Sequence, residues 1–467
     1  ALADIPRFVM AASLYHPDTA ARSLAHDGSG EEPGLKDVDG AWDLRPHRGR
    51  ILHVDMEMLR TWHDLLEDDH VPVLETKMVY VVNRASADVL ARLARAQRIA
   101  ELGLEFSRGW DESIDRTKGY FDVEWGTPAR WDDVILQGPH LHVGTPFYKR
   151  PNETMRHNQD WSFVDLEQLP DDAIPTTAYQ PRGERAAYDA AYTHWGPQRV
   201  PARSRYRVAW RRMAANTGER TLIPAIIPPG AAHVHAVISG GGGGARTLVA
   251  TGGVLNSLVA DFAVRSAPSG DIYGTAIARL PVLPDYHPLV DEVVIRVLRL
   301  NCLTSAYADL WREALPADVS GIAWTGGIDY PGRPALGDVT REWTRNAPLR
   351  RASDRRQALL ELDALVALAL EITADELCTI YRTQFPVRYG YDRRRDHYDA
   401  NGRLVPQGVL RAWRTRGDGM TEEERTAENE AGYTYVYEPP FVTLDREADM
   451  RRAYAHFERV LAERGDG

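Results

Sequence analysis

Cysteine is scarce in this sequence, since Cys302 and Cys378 are the two cysteines among 467 residues. Two cysteines are too few for a disulfide framework, and their wide separation gives no zinc-binding pattern. No apolar run approaches the roughly 20 residues needed to cross a bilayer, and no positively charged start followed by an apolar core marks a secretory signal. We therefore expect a cytoplasmic protein that does not insert into a membrane.

The chain also lacks an excess of positive charge, because its formal net charge is −11. This balance argues against a protein that coats nucleic acid through its whole surface. A local basic face remains compatible with it. Residues 203–212 contain five arginines and no acidic residue, and residues 341–356 are again rich in arginine. Such runs are typical of a DNA-binding strip on an acidic body, or of a solvated face.

Length and periodicity predict an α+β fold of two or three packed domains, because 467 residues exceed the usual limit of one core. Apolar residues at helical spacing dominate beyond Pro284, whereas residues 204–280 alternate as strands do. We predict three parts: a connector with helices and a short strand pair at 1–130, a mixed β-rich domain at 131–290, and a mainly helical domain at 291–467.

Several local patterns predict particular elements. A helical pattern begins at Ile51, residues 71–82 are typical of a strand pair or one bent strand, and Ser86 is a plausible N-cap. Pro224 confines its strand to an edge or a bend. Residues 239–246 predict a glycine turn and 247–253 a strand, which is followed by a helix. Thr373 and Glu376 have the spacing of a capping box.

Several separated segments resemble the carboxy-terminal halves of large adenine-N6 DNA methyltransferases, such as type IIG restriction enzymes and the methyltransferases of the BREX and DISARM phage-defence systems. The segments that carry this resemblance are VPVLETKMVY (71–80), RYRVAWRRMAANTGERTLIPAIIPPG (205–230), TGGVLNSLVADFAVRSAPSGDIYGTAIARLPV (251–282), LDALVALALEITADELCTIYRTQFPV (362–387) and PPFVTLDREADMRRAYAHF (439–457). In that family an N-terminal domain binds S-adenosylmethionine and holds an Asn-Pro-Pro-Tyr tetrapeptide, and a target-recognition domain follows it.

The sequence departs from that family in one respect. It has no Asn-Pro-Pro followed by an aromatic residue, and the run Gly240 to Gly244 lacks the spacing of a nucleotide-binding turn. The resemblance therefore implies target recognition at 131–290 without catalytic residues or a cofactor in this chain. It implies double-stranded DNA as one partner. The other is a catalytic domain or subunit that carries S-adenosylmethionine, either upstream of Ala1 in a longer chain or on a separate chain.

Arginines at 203–212 are the first candidates for DNA contact. Methylating adenine requires extruding the base, and contacts along the flanking DNA must offset that cost. Strand alternation would place Arg203, Arg205 and Arg207 on one face. The competing interpretation is an exposed strand whose arginines meet water or acidic neighbours. The candidates in this segment are Arg203, Arg205, Arg207, Arg211 and Arg212.

Three other segments supply candidates whose side chains suit either DNA contact or a structural role. Asn and Arg make bidentate contacts with adenine and guanine, but they also cap turns and pair internally. Free amides at a helix start bind phosphate, and an aromatic beside cations suits a nucleic-acid backbone. The candidates are Asn216 and Arg220 in a turn, Asn256, Ser257, Arg265 and Tyr273 around a helix, and Tyr148, Lys149 and Arg150 on a proline-bounded loop.

Two patterns raise other chemistries. His140 with His142, and His233 with His235, share strand faces, but neither pair has a third ligand, so we expect no metal site. Glu75 and Lys77 have the Glu-x-Lys form of Mg²⁺-dependent nucleases, which makes a nuclease the enzymatic alternative. A protein-interaction subunit of a defence complex is the third hypothesis.

Overall fold

The computed structural model describes residues 6–267 and 269–465, and it confirms the predicted α+β class. The helices are α1 (Pro17–Ala25), α2 (Met56–Leu66), α3 (Arg84–Arg95), α4 (Ile114–Thr117), α5 (Arg185–Ala191), α6 (Ala245–Asn256), α7 (Leu258–Ser266), α8 (Gly274–Ala278), α9 (Val290–Asn301), α10 (Ala308–Ala314), α11 (Ala352–Ala369), α12 (Ala374–Gln384), α13 (Pro386–Gly390), α14 (Gln407–Arg416), α15 (Glu422–Arg425) and α16 (Arg446–Gly465). A π-helical turn at Tyr391–Arg395 continues α13.

The strands are short and belong to several small sheets. They are β1 (Phe8–Ala11), β2 (Ile51–Val54), β3 (Glu105–Ser107), β4 (Phe121–Gly126), β5 (Ile135–Leu136), β6 (Lys149–Pro151), β7 (Trp161–Phe163), β8 (Thr177–Pro181), β9 (His194–Trp195), β10 (Val200–Pro201), β11 (Arg207–Arg211), β12 (Pro224–Ile227), β13 (Ala232–His233), β14 (Val237–Gly241), β15 (Thr426–Glu428) and β16 (Thr434–Val436). Among the described residues, the largest sheet is antiparallel, with the order β12-β11-β14-β3.

The central sheet is buried on both faces. Alternation along β11 sends Val208 and Trp210 into the main apolar core and Ala209 into a second core on the opposite face. Pro224 pairs with Trp210 at the start of the edge strand β12, as its missing N–H predicts. A sheet covered on both sides leaves only its ends for contact with a ligand.

Helix α6 replaces the strand predicted at 247–253, and that prediction was wrong. Glycines in a sequence often indicate a turn, but in this structure Gly252 and Gly253 allow close packing of helix α6 against its neighbours. A Cβ added to Gly253 would lie 2.3 Å from Val293 Cγ1 of α9, and one added to Gly252 would lie 3.4 Å from Ile226 Cδ1. The missing side chains therefore let α6 approach both α9 and the sheet.

The predictions for residues 51–86 were also partly wrong. Residues 51–54 form β2, and α2 starts after Asp55, whose carboxylate accepts from Met58 N at 3.0 Å. Residues 71–82 form no strand; they contain a 3₁₀ turn at Val73–Glu75. Asn83, rather than Ser86, caps α3 and accepts from Ser86 N at 2.9 Å.

The helical predictions for the second half are confirmed. Helices α9 and α11 occupy the two long apolar patterns, and α16 forms the predicted C-terminal helix. Thr373 Oγ1 accepts from Glu376 N at 3.3 Å, and the Glu376 carboxylate accepts from Thr373 N at 2.8 Å. Both bonds of the predicted capping box are present. The division into three domains remains a prediction.

Arg299 organises the irregular segment between α10 and α11. Its buried guanidinium donates to the carbonyls of Ala335 at 2.6 Å, Leu336 at 2.8 Å and Ala347 at 2.9 Å. Burial lowers the pKa of Arg299 to about 10. Five N–H groups in a rigid fork suit this task, because one side chain satisfies carbonyls from several turns.

Within residues 6–267 and 269–465, no single helix combines the length and apolar character needed to cross a membrane. The pair α6 and α7 meets both requirements together, by length and composition alone, but it bends by 65°.

Candidate nucleic-acid interface

The predicted DNA-binding residues divide into a buried and an accessible group. Those in the accessible group are at least partly exposed, and their positions differ widely. The buried side chains are Arg203, Arg207, Arg220, Asn256, Ser257 and Arg265. The accessible ones are Tyr148, Lys149, Arg150, Arg205, Arg211, Arg212, Asn216 and Tyr273. In this fold only the second group can meet DNA directly.

Arg203, Arg205 and Arg207 do not share a strand face, contrary to the prediction. A 3₁₀ turn at Ala202–Ser204 precedes β11, so the alternation starts only at Arg207. Arg203 Nε donates to Asp189 at 2.7 Å, and the buried Arg207 donates to the Ala231 carbonyl. Arg205 is exposed, but it lies at the opposite end of β11 from Arg211.

Arg220 and its neighbours form the joint between α6 and α7. Arg220 pairs with the fully buried Asp261 and donates to the carbonyls of Asn256 and Ser257, both at 2.9 Å. Ser257 Oγ accepts from Ala260 N at 3.2 Å and caps α7. The contacts of these residues therefore support the structural role and not DNA contact.

Two further candidates belong to the same region. Arg265 Nη1 donates to the Gln384 carbonyl at 2.7 Å, which ties α7 to α12. The exposed Asn216 accepts from Thr221 Oγ1 at 3.0 Å. Arg265 is thus structural, whereas the amide nitrogen of Asn216 stays available at the surface.

Three of the accessible candidates, Tyr148, Lys149 and Arg211, lie together at the Arg211 end of β11. Lys149 Nζ lies 4.1 Å from the Phe163 ring centroid and 5.4 Å from that of Tyr148. The Arg211 guanidinium lies 5.9 Å from the Tyr148 centroid. Arg212 Nη1 is 3.3 Å from both Asp271 and the Tyr273 hydroxyl. Arg212 and Tyr273 form a separate pair, because consecutive residues of a strand point to opposite faces. We call the following residues the cation–aromatic band: Tyr148, Lys149, Phe163 and Arg211.

Two cations of the band lack an acidic partner. Within the described chain, no carboxylate lies within 4 Å of Lys149 or Arg211. Arg211 instead donates to the carbonyls of Gly138 at 2.9 Å and Leu141 at 2.6 Å. Burial lowers the pKa of both side chains, and it raises the pKa of Tyr148 to about 12. These cations are fixed by neutral groups and by aromatic rings and form no ion pair, although the charge of Glu219 acts on Arg211 and that of Glu430 on Lys149 at longer range.

A cleft of about 510 Å³ opens beside the band. Glu219 spans it, accepting from His142 Nε2 at 3.0 Å and from Arg388 Nη1 at 2.8 Å. Burial would raise the pKa of Glu219, but the hydrogen bond from His142 and the charge of Arg388 hold it well below its usual value. Burial lowers the pKa of His142. The pair with Arg388 connects the β-rich part to the C-terminal part across the cleft.

The sequence reasoning missed the far wall of this cleft. That wall contains Arg388, Tyr391 and Arg395, and Phe163 was missed on the near side. The Arg395 guanidinium lies 4.2 Å from the Tyr391 ring centroid. The sequence feature that could have indicated this wall is the group of tyrosines and arginines at 388–395, since aromatics near cations are typical of nucleic-acid contacts.

The histidine pairs form no metal site. His140 Nε2 lies 2.9 Å from the Thr176 carbonyl, and His233 Nε2 lies 2.8 Å from Ser239 Oγ. Burial lowers the pKa of His140 to about 4 and that of His233 to about 3. Over the described ranges, no group of three histidine, cysteine or acidic side chains is placed to hold a metal ion.

The Glu-x-Lys pattern lies outside any strand. Glu75 ends the 3₁₀ turn and is exposed, and Lys77 Nζ pairs with Glu67 at 3.3 Å. A nuclease of the expected kind would align these side chains on a strand with a further carboxylate. The geometry therefore offers no support for the nuclease hypothesis.

Comparisons with known proteins add no family to these observations. No family model matches the chain, and no curated protein matches it.

Proposed function

We propose that this chain is the DNA-binding target-recognition part of a site-specific adenine-N6 DNA methyltransferase of a bacterial restriction or phage-defence system. It acts in the cytoplasm and positions duplex DNA for base flipping. A catalytic domain or subunit outside this sequence carries S-adenosylmethionine and performs the methyl transfer. The resemblance of five ordered segments supports this proposal, and the cation–aromatic band is the structural observation that carries it.

The band has the chemistry that a duplex requires. Lysine and arginine side chains without an acidic partner can neutralise DNA phosphates. The counterions condensed on the DNA are then released, and this release supplies much of the affinity for DNA. Lys149 and Arg211 qualify because no carboxylate of the described chain lies within 4 Å of them. Neighbouring donors such as Arg212 and Asn216 suit base edges in the major groove. The exposed Arg150 extends the cationic surface along β6.

The buried candidates support the band indirectly. Arg220 and Asp261 fix the start of α7, and Arg203 fixes the chain before β11 by pairing with Asp189. Rigid placement matters, because readout of bases depends on side chains held at defined positions on a stable scaffold. We assign these arginines to positioning rather than to DNA contact.

The salt dependence of duplex binding tests the proposal. The chain, mixed with its catalytic partner, is titrated against a labelled duplex that contains the methylation site. Removing one cation that binds a phosphate lowers the slope of log K against log[salt] by about 0.9. We expect this reduction in Lys149→Gln and again in Arg150→Gln. Lys118→Gln is the matched control, since Lys118 is exposed and pairs with Asp115 at 3.3 Å.

Two results would contradict the proposal. One is an equal decrease in affinity in the Lys149 and Lys118 variants, because the band would then have no special role. The other is site-specific methylation by the catalytic partner that proceeds unchanged when this chain is absent. Thermal melts of each variant establish that the fold is retained.

The protein-interaction hypothesis has its own supporting observation. Large exposed apolar side chains concentrate in the first 80 residues. Tyr15 and Trp42 stack there with ring centroids 4.3 Å apart, and Lys36 Nζ lies 3.3 Å above the Trp42 ring. A chain that binds a defence-complex partner tightly, but no DNA, would favour this second function over the first.

A further inference from the structure

A second cavity of about 460 Å³ adjoins the cleft, and the two share one wall. Phe163, Leu166, Arg355, Arg395 and Leu404 line both spaces. The two adjoining cavities lie between residues 142–167 and the C-terminal residues 350–446, and we call them together the channel.

Arginines meet at the junction of the two cavities, and most arginines deeper in the channel are already paired. Arg220, Arg356, Arg388 and Arg446 each have a carboxylate partner within 3 Å, and so does Arg403 at the mouth. Arg355 lines both cavities and Arg350 lines the smaller one, and neither has such a close carboxylate partner, although Asp396 and Glu430 also line both cavities.

Arg355 is the clearest case of an uncompensated cation. It is 9% exposed, and its two terminal nitrogens donate to the carbonyls of Leu300, Leu349 and Gly144 at 2.8–2.9 Å and to Thr145 Oγ1 at 2.6 Å. No described carboxylate lies within 4 Å of it. Burial, and then the charge of Arg350, lower its pKa to about 9. A buried cation without a counter-ion is costly, and an anion in the channel would offset that cost.

Arg350 repeats the pattern beside it. Its nearest carboxylate, on Asp171, is 3.9 Å away, and its Nε is buried without a hydrogen-bond partner. Arg395 reaches the same junction, where its closest acidic contacts are Glu430 at 3.6 Å and Asp396 at 3.8 Å. The three arginines therefore line adjoining cavities, and among the described residues the shortest distance from any of them to a carboxylate is the 3.6 Å between Arg395 and Glu430.

Aromatic side chains line the larger cavity next to this junction. Tyr148 and Phe163 lie on one side, with ring centroids 5.3 Å apart, and Tyr391 lies on the other. Tyr391 belongs to the π-helical turn, a rare conformation that is frequent at functional sites. Base–aromatic stacking needs such rings close to cations that hold a phosphate. The rings of Tyr148 and Phe163 are perpendicular, at 87°, so the channel offers separate aromatic faces beside the arginines.

We propose that this channel binds a nucleoside monophosphate, with the phosphate facing Arg350, Arg355 and Arg395 and the base against the aromatic side chains. The ligand is either a free nucleotide or the phosphorylated end of a DNA strand, which share this chemistry. The inference rests in part on the proposed function, because Tyr148 and Phe163 belong both to the band and to this site, whereas Arg350, Arg355 and Arg395 belong to the channel alone.

Calorimetric titration of the full chain tests this site with defined probes. The probes are deoxyadenosine monophosphate, deoxyadenosine, inorganic phosphate, and a short single strand with or without a 5′ phosphate. We expect the monophosphate to bind with a Kd below about 1 mM and at least about tenfold more tightly than deoxyadenosine or phosphate alone. Tighter binding of the phosphorylated strand would identify a strand end as the source, and tighter binding of the monophosphate a free nucleotide.

Variants on the π-helical turn make the test specific. Arg395→Gln should weaken binding of the monophosphate about tenfold, whereas Arg393→Gln, an exposed neighbour that contacts Tyr389, should not. Tyr391→Leu should weaken the monophosphate but leave inorganic phosphate unchanged. Three results would each overturn the proposal. The first is no binding of the monophosphate up to about 1 mM, the second is an equal effect of the two arginine variants, and the third is equal affinity for inorganic phosphate and the nucleotide. Duplex affinity is measured separately. A change of duplex affinity in Lys149→Gln concerns the proposed function and not the nucleotide site.

Discussion

Asp363 allows a quantitative prediction about stability and pH. Asp363 lies on α11 and is 1% exposed, and its carboxylate accepts from Leu258 N, the first residue of α7, at 2.7 Å. Arg446 Nη1 lies 3.7 Å from the same carboxylate. Burial raises its pKa from 3.8 to about 6, although the charges of Arg220 and Arg446 oppose the shift. The folded protein therefore holds this proton over a pH range in which the unfolded chain has already released it.

The sign of the effect follows from proton linkage. A raised pKa in the folded state contributes stability that is fully present below pH 3.8 and is lost as the pH rises through about 6. At 1.36 kcal/mol per pKa unit, the whole effect is roughly 3 kcal/mol. About half of it falls between pH 5 and pH 8. Asp363→Asn removes the ionisation but can keep the bond from Leu258 N.

The assay compares urea unfolding of the wild type and Asp363→Asn at pH 5 and pH 8, followed by tryptophan fluorescence. Relative to the wild type, the Asn variant should gain about 1.4 kcal/mol of unfolding free energy between these pH values. Asp39→Asn is the control, because Asp39 is exposed, and its difference from the wild type should not change. A difference for Asp363→Asn that is independent of pH, or that falls with rising pH, would refute the reasoning.

Two substitutions test the packing around α6 and α7 by urea unfolding. Arg220→Met should cost about 3–5 kcal/mol, because it leaves Asp261 buried without its partner; a destabilisation below about 1 kcal/mol would contradict the role of this pair. Gly253→Ala should cost about 1–3 kcal/mol, since its methyl group would overlap Val293. In Gly408→Ala the added methyl group meets open space at an exposed helical position, so this control should be neutral or stabilising by up to about 1 kcal/mol.

The regular parts of the fold were predictable where sequence periodicity and packing agree. Helix α9 and the capping box at Thr373 depend on local spacing, which the sequence displays directly. The pair Gly252 and Gly253 was misread because its purpose is contact with a distant helix. Residues 71–82 were misread as well: Val81 is buried there, but the segment has no neighbouring strand to pair with.

The candidate site was predictable only in part. Arg207 and Arg211 look alike in the sequence, yet the first is enclosed by the chain and the second reaches the band. Alternation indicates which residues share a face, but Arg207 and Arg211 are the two terminal residues of β11, so their exposure depends on what packs against each end of the strand. Arg388 and Tyr391 enter the site through tertiary folding, which brings residues far apart in sequence to one cleft.

Arg299 of α9, which binds several backbone carbonyls, restricts the sequence changes that the following loop can accept. Arg299 sits on that helix, yet it defines the path of residues 335–347 some 40 positions later. Insertions in that loop would misplace several acceptors at once, and lysine could not replace the fork that satisfies them. The loop and the helix residue must therefore vary together, so grafting the loop onto a related scaffold requires transferring Arg299 with it.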